Sequence, residues 1–319
     1  MAQPYCGALV GETVFCLWEG EMEDVTPKEP VLLEPGLRRI LAPNPSPMTF
    51  TGTNTYLLGE RELAVIDPGP ALPAHLEAIL AAVQPGQRIT HILLTHSHLD
   101  HSPLARLVSQ ETGAPSYAFG DHLKGRSPVM EALAESGLAG GGEGIDRDFA
   151  PDHLLEDGAL VEGDGWALRA LWTPGHIANH LSFVWQDAVF TGDHVMGWAS
   201  SMVSPPDGDL TAFMHSCRRM QEVPARVFYP GHGDPVSDPA ARLQWLIDHR
   251  MSREAQILEA LAHGPAAAPA LAERIYTEVN PALLPAATRN VLAHLIDLHS
   301  RRKVSAEGPL SADVKFIRS

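Results

Sequence analysis

At 319 residues, with 45% hydrophobic and 19% charged residues, the chain has the make-up of a globular protein with room for a substantial core. Collagen-like, disordered and coiled-coil classes are excluded, and no apolar run reaches the roughly 18 residues of a transmembrane helix. The formal net charge of -16 disfavours polyanionic partners, but it is uneven: residues 241–319 hold 10 Lys and Arg against 8 Asp and Glu, and the other residues hold 13 against 31.

The first 34 residues read as an N-terminal extension. They lack a basic segment ahead of an apolar one, and the three cysteines (Cys6, Cys16, Cys217) form no framework, so a cytoplasmic location without membrane attachment is expected. "NTYLLG" and "ELAVIDPG" predict two strands around a turn at Gly59-Glu60. Leu76, Ile79, Leu80 and Val83 share one face of a helix over 73–83. The apolar run Ile92–Leu94 predicts a buried strand. "SPLARLVSQETG" predicts a helix with Ser102 as N-cap, Pro103 at the first helical position and Gly113 as the stop. Residues 120–152 are Gly-rich and ambiguous.

Asp-Gly turn signals at 157–158 and 164–165 divide further short strands, and two more flank a turn near Gln186-Asp187. A loop rich in small residues follows at 196–208, where Trp198, Met196 and Met202 could line a pocket or fill the core. Asp209 is placed to cap the next helix, and "RVFYPGHG" is a last strand. Beyond Pro239 the pattern is helical: one long helix, or two meeting near His249, then two more, then short strands at Val304 and "VKFI". The expected domains are residues 35–240 and a smaller unit, 241–319.

Ligand-type side chains collect at the ends of these strands. "THSHLDHS" (95–102) places His96, His98, Asp100 and His101 just past one strand, and His176 in "TPGH", Asp193 in "FTGD" and His232 in "YPGHG" each follow another. In open α/β sheets, ligands bind at the carboxyl ends of strands. Five imidazoles and two carboxylates exceed the needs of one tetrahedral ion, and they suit two ions bridged by one carboxylate. Water bridging such a pair becomes a nucleophile near neutral pH, so no serine nucleophile is required, and no GxSxG motif is present.

Taken together, "THSHLDH", "TPGH", "TGD" and "PGHG" resemble the metallo-β-lactamase superfamily over roughly residues 35–240. The resemblance implies an α/β fold, an αββα sandwich, with a dinuclear zinc centre (two Zn2+ per chain, Fe or Mn also compatible) at its open edge. It implies His96, His98 and His176 on one ion, Asp100, His101 and His232 on the other, and Asp193 between them. Asp67, in the early "DPG" turn, would support the ligands. Asp100 is the candidate catalytic residue, orienting the hydroxide or shuttling a proton. His180 and His194 are expected to be supporting, although His194 could protonate a leaving group.

Asp193 argues against true β-lactamase activity. "GHGDP" departs from the glyoxalase II pattern, and acyl-homoserine lactonases lack the C-terminal unit, but glyoxalase II-like thioesterase or lactonase activity stands as an alternative. The LACTB2-like branch, with a small C-terminal winged-helix domain, matches best. It implies a metal-dependent hydrolase whose bridging hydroxide attacks an ester-type bond, in single-stranded RNA or in a small carboxylic ester or thioester. A homodimer is compatible with it. An alternative of another class is a nucleic-acid-binding regulator with a metal-sensing domain. Arg289, Arg301, Arg302 and Lys303 could then meet phosphate, or simply form a solvated basic face.

Overall fold

The computed structural model describes residues 29–140, 144–278 and 280–319; Cys6, Cys16 and most of the expected N-terminal extension lie outside them. The first sheet holds β1 (Val31–Glu34), β2 (Leu37–Leu41), β3 (Asn54–Leu58), β4 (Glu62–Ile66), β5 (Arg88–Leu93), β6 (Ser116–Ala118) and β7 (His153–Leu154), in chain order across the sheet. The first four strands are antiparallel, and β4 to β7 are parallel. Parallel neighbours need a crossover. Helices α1 (Pro73–Ala81), between β4 and β5, and α2 (Leu104–Thr112), between β5 and β6, provide two of these. Helix α3 (Pro128–Glu135) lies between β6 and β7.

The second sheet holds β8 (Leu160–Gly163), β9 (Trp166–Trp172), β10 (Leu181–Trp185), β11 (Ala188–Gly192) and β12 (Val227–Pro230), ordered β12-β11-β10-β9-β8. Only the β11–β12 pair is parallel, and α4 (Leu210–Gln221) makes its crossover.

Two-residue alternation explains the layering. On β4, Ala64 and Ile66 enter the core between the sheets, while Leu63 and Val65 enter the one under α1 and α2. On β11, Ala188 and Phe190 face the first sheet, and Val189 packs beside Phe213 and Cys217 of α4. Both faces of each sheet are therefore covered, in an αββα sandwich.

The chain ends in α5 (Pro239–Ala262), α6 (Ala268–Ile275), α7 (Leu284–Ser300) and the hairpin β13 (Val304–Ala306) with β14 (Phe316–Arg318). Residues 239–262 are one helix, not two, and it serves two cores. Leu243 and Leu246 pack under the second sheet, whereas Ile257 and Leu261 join α6, α7 and Phe316. Met130 and Leu133 of α3 enter that same C-terminal core.

Two local expectations need correction. Ser102 does not cap α2, whose N-cap position falls to Pro103: its hydroxyl donates to the Asp146 carboxylate (2.8 Å) with the His98 carbonyl 3.2 Å away, so it braces the loop after β5 instead. The ambiguous stretch contains α3, whose signal was present: Ser127 accepts from Met130 N, Pro128 starts the helix and Glu131 lies in its first turn. Among the described residues no helix is long and apolar enough to cross a membrane.

Candidate metal centre

Both sheets direct strand ends toward one point. The loop after β5 carries His96, His98, Asp100 and His101; His176 follows β9, Asp193 follows β11 and His232 follows β12. The seven ligand atoms fall into two overlapping groups: His96, His98, His176 and Asp193 in one, Asp100, His101, His232 and Asp193 in the other. Within each, all the ligand atoms lie within 4.8 Å of one another. All seven residues are buried, but His98, His176 and Asp193 keep a thin edge of exposure (6–8%) that marks the open side.

Hydrogen bonds at the far nitrogens decide what the near ones can do. His176 Nδ1 lies 2.8 Å from the Met202 carbonyl, which can only accept. The proton is therefore on Nδ1, and Nε2 is bare in the neutral ring. Thr95 Oγ1 donates to Asp67 (2.7 Å) and so accepts from His96 Nδ1 at 2.9 Å, which bares His96 Nε2 as well. His98 Nδ1 stands 3.0 Å from both of these bare nitrogens, and its one proton could satisfy only one of them. Burial pushes His96 well below its usual pKa, lowers His176, and takes His98 down to about 3, so extra protons are disfavoured. Nitrogens about 3.3 Å apart are the edges of a tetrahedron around an ion with 2.0–2.1 Å bonds.

In the second group, His101 Nδ1 donates to Asp67 (3.0 Å) and His232 Nδ1 to the Gly52 carbonyl (3.1 Å). Their Nε2 atoms face each other at 3.3 Å, and each reaches Asp100 (3.5 and 3.1 Å) and Asp193 (3.4 and 3.3 Å). Burial works against charge on both rings, but the two carboxylates outweigh it: His101 lies well above its usual range and His232 at about 10. Burial likewise opposes ionisation of Asp100, yet His101 and His232 hold it at about 2. Both oxygens of Asp100 and Oδ1 of Asp193 are buried, without a hydrogen-bond partner among the described residues. The bare Nε2 atoms of His96 and His176 and the orphaned carboxylate oxygens, aimed inward, fit divalent cations.

Supporting residues fix this geometry. Asp67 sits at φ 49°, a region that Asp tolerates better than most residues, and its carboxylate accepts from Thr95 N (2.7 Å), Thr95 Oγ1 and His101. His180 accepts from the backbone N of Asp193 (3.2 Å) and pairs with Thr173 (2.9 Å), so it orients the shared carboxylate rather than joining it. His194 is no proton donor to substrate: it is fully buried between Phe213 (centroids 4.6 Å apart) and Cys217 (3.5 Å). Sequence motifs did not identify the clamp on the 196–203 loop. Arg242 holds the carbonyls of Met196 and Ala199, both at 2.7 Å, and Arg250 holds that of Ser201. Met196 and Met202 are buried, and Trp198 stacks on Phe50 at 5.0 Å.

Residues 48–232 match the metallo-beta-lactamase superfamily, and residues 267–310 match the beta-lactamase associated winged helix domain. An atrochrysone carboxyl ACP thioesterase of Aspergillus fumigatus is 34% identical over 72% of this chain, which spans 66% of that relative's length. A beta-lactamase-like protein 2 homolog of Drosophila melanogaster is 31% identical, over 87% of this chain and 92% of the relative. The crystal structure of a metallo-beta-lactamase family protein from Thermus thermophilus superposes with a TM-score of 0.73 at 27% identity, covering 90% of this chain and all of that one.

Proposed function

The chain belongs to the metallo-beta-lactamase superfamily, as a metal-dependent hydrolase with the associated winged helix domain, and from that premise we propose a dinuclear zinc enzyme that cleaves a carboxylic thioester or ester. The observation that carries the reading is the pair of four-residue groups sharing Asp193. His96, His98 and His176 would hold one ion, Asp100, His101 and His232 the other, and Asp193 both. When bound, the ions supply Lewis acidity and an activated water. Asp100 turns Oδ2 toward the His101–His232 pair (3.5 and 3.1 Å), which leaves Oδ1, farther from both rings, to take the proton of the attacking water. The His/Asp donor set also accommodates iron or manganese.

Thioester or ester is favoured over RNA for three reasons. Of the basic residues considered for phosphate, Arg289 is spent on the carbonyls of Ala139 and Gly140, and Arg301 on Glu254 and Asp297. α7, which carries Arg289, buries Ala287, Val291 through Ile296, and Leu298, so it offers little surface to a nucleic-acid groove. Finally, the rest of the chain is acidic, and one relative is named a thioesterase. The shared carboxylate supports a reaction other than β-lactam hydrolysis.

The test is a hydrolysis panel (acyl thioesters, lactones, β-lactams, single-stranded RNA) on zinc-loaded protein, with metal analysis alongside. Two ions per chain and thioester or ester turnover insensitive to salt are expected. Full turnover by metal-free protein would overturn the metal reading. RNA cleavage that weakens steeply with salt, without thioesterase activity, would overturn the substrate.

A further inference from the structure

His176 owes its tautomer and ring orientation to one acceptor, the carbonyl of Met202. That carbonyl lies in a loop without regular secondary structure, and something must hold it in place. Its two neighbours are held from outside the sandwich. Arg250 of α5 donates one guanidinium nitrogen to the Ser201 carbonyl and another to Asn290 Oδ1 at 2.9 Å. The same Asn290 oxygen accepts from the backbone N of Val203 at 3.1 Å. Ser201 Oγ also ties the loop to the His194 carbonyl at 2.9 Å. Met202 is thus bracketed on both sides by contacts that meet at one amide oxygen on α7, inside the winged helix match.

We infer that Asn290 is a positioning residue for the metal centre, through which the winged helix domain sets the orientation of His176. Chemistry explains the residue type. A side-chain amide oxygen has two lone pairs, one here for a buried cation and one for a backbone N–H. Arg250 is only 2% exposed and has no carboxylate partner among the described residues, with Phe213 5.1 Å beneath it. Asn290 Oδ1 and the Ser201 carbonyl are its named acceptors, so the guanidinium and the loop hold each other in place. Partners behind a ligating histidine commonly change metal affinity 10–100-fold when removed. Acting one link further back, Asn290 is assigned about tenfold, confined to the ion held by His96, His98 and His176.

The inference rests on the metal reading above, and the experiment separates the two. Zinc affinity and stoichiometry are measured by chelator competition on wild type, Asn290→Leu, Asn290→Asp and Asp297→Asn. Asp297 lies on the same helix and bonds Thr211 of α4 at 2.6 Å, so its variant weakens the same interface without touching the loop. Expected is a tenfold loss at one of two sites in Asn290→Leu, recovery in Asn290→Asp, which keeps both acceptor bonds, and no change in Asp297→Asn. Equal affinities in wild type and Asn290→Leu, or an equal loss in all three variants, would overturn the inference and leave the metal reading intact. Absence of zinc binding in wild type would overturn the metal reading itself. Should Asn290→Leu fail to fold, wild type alone decides. Coupling is reciprocal, so loading both sites with zinc must slow amide exchange at 201–203, and unchanged exchange there would overturn the proposal.

Discussion

At the scale of single residues, seven ligand-type side chains were legible because each occupies the same topological place, just past a strand end. Of the residues behind them, Asp67 and His180 were expected as supports from the resemblance, and the directions of their hydrogen bonds give that role its geometry. His294 had no sequence signal at all. It is buried in α7, and both ring nitrogens lack partners among the described residues. Burial first, then the charges of Arg250, Arg253 and Arg301, keep it neutral well below pH 6.5. The unfolded chain takes up a proton there as pH falls through 6.5 and the folded chain does not. The stability it allows is therefore present above pH 6.5 and lost below it. His294→Leu should flatten the acid limb of thermal stability by up to one proton, about 1.4 kcal/mol per pH unit. Melting from pH 7.5 to 5 checks this, and an unchanged slope would count against it.

At the scale of elements, hydrophobic periodicity located most strands and helices, because both faces of each sheet are covered. It failed where local chemistry competes with pattern. Ser102 looked like a cap but serves the ligand loop, and α3 was hidden by Gly-rich surroundings. The turns that end the strands are as constrained as the ligands they present. A Cβ at Gly231, just before His232, would stand 2.3 Å from Asp193 Oδ1 and 2.7 Å from His101 Cε1. Gly192, before Asp193, combines φ 46° with a Cβ position 2.6 Å from His180 Nε2. Gly231→Ala should therefore lose at least tenfold in zinc affinity, in line with other disturbances behind metal ligands. Chelator competition would read it, with circular dichroism to show that the sheets persist.

At the scale of the molecule, the proposed ions would join the two sheets, since β5 lies in one and β9, β11 and β12 in the other. Binding only to the folded state stabilises by about 4 kcal/mol at a ligand concentration 1,000 times Kd. Removing metal should lower Tm by several degrees at neutral pH. Protons on His232 and His101 replace part of what is lost: raised folded pKa values give stability that is present below pH 6.5, and His232 loses its share as pH rises through about 10. The melting deficit of metal-free protein should accordingly widen on the alkaline side, and an equal deficit at pH 6 and pH 10 would contradict this. The αββα sandwich and the winged helix were both legible in advance. Their coupling was not, because Asn290 and Val203 are 87 positions apart and carry no shared pattern.

The clamp also has a consequence in time. Translation delivers His232, the last of the seven, before α5 and α7 exist. At about 5 to 20 residues per second, the stretch of some 60 residues from His232 to Asn290 takes roughly 3 to 12 s to make. During that interval the nascent chain carries every proposed ligand, while the loop around Met202 still lacks the Asn290 contacts to Val203 and Arg250. On the proposed reading, full metal affinity would be a late acquisition of synthesis, and a ribosome stalled between the two positions would hold a chain about tenfold weaker at one of its two sites.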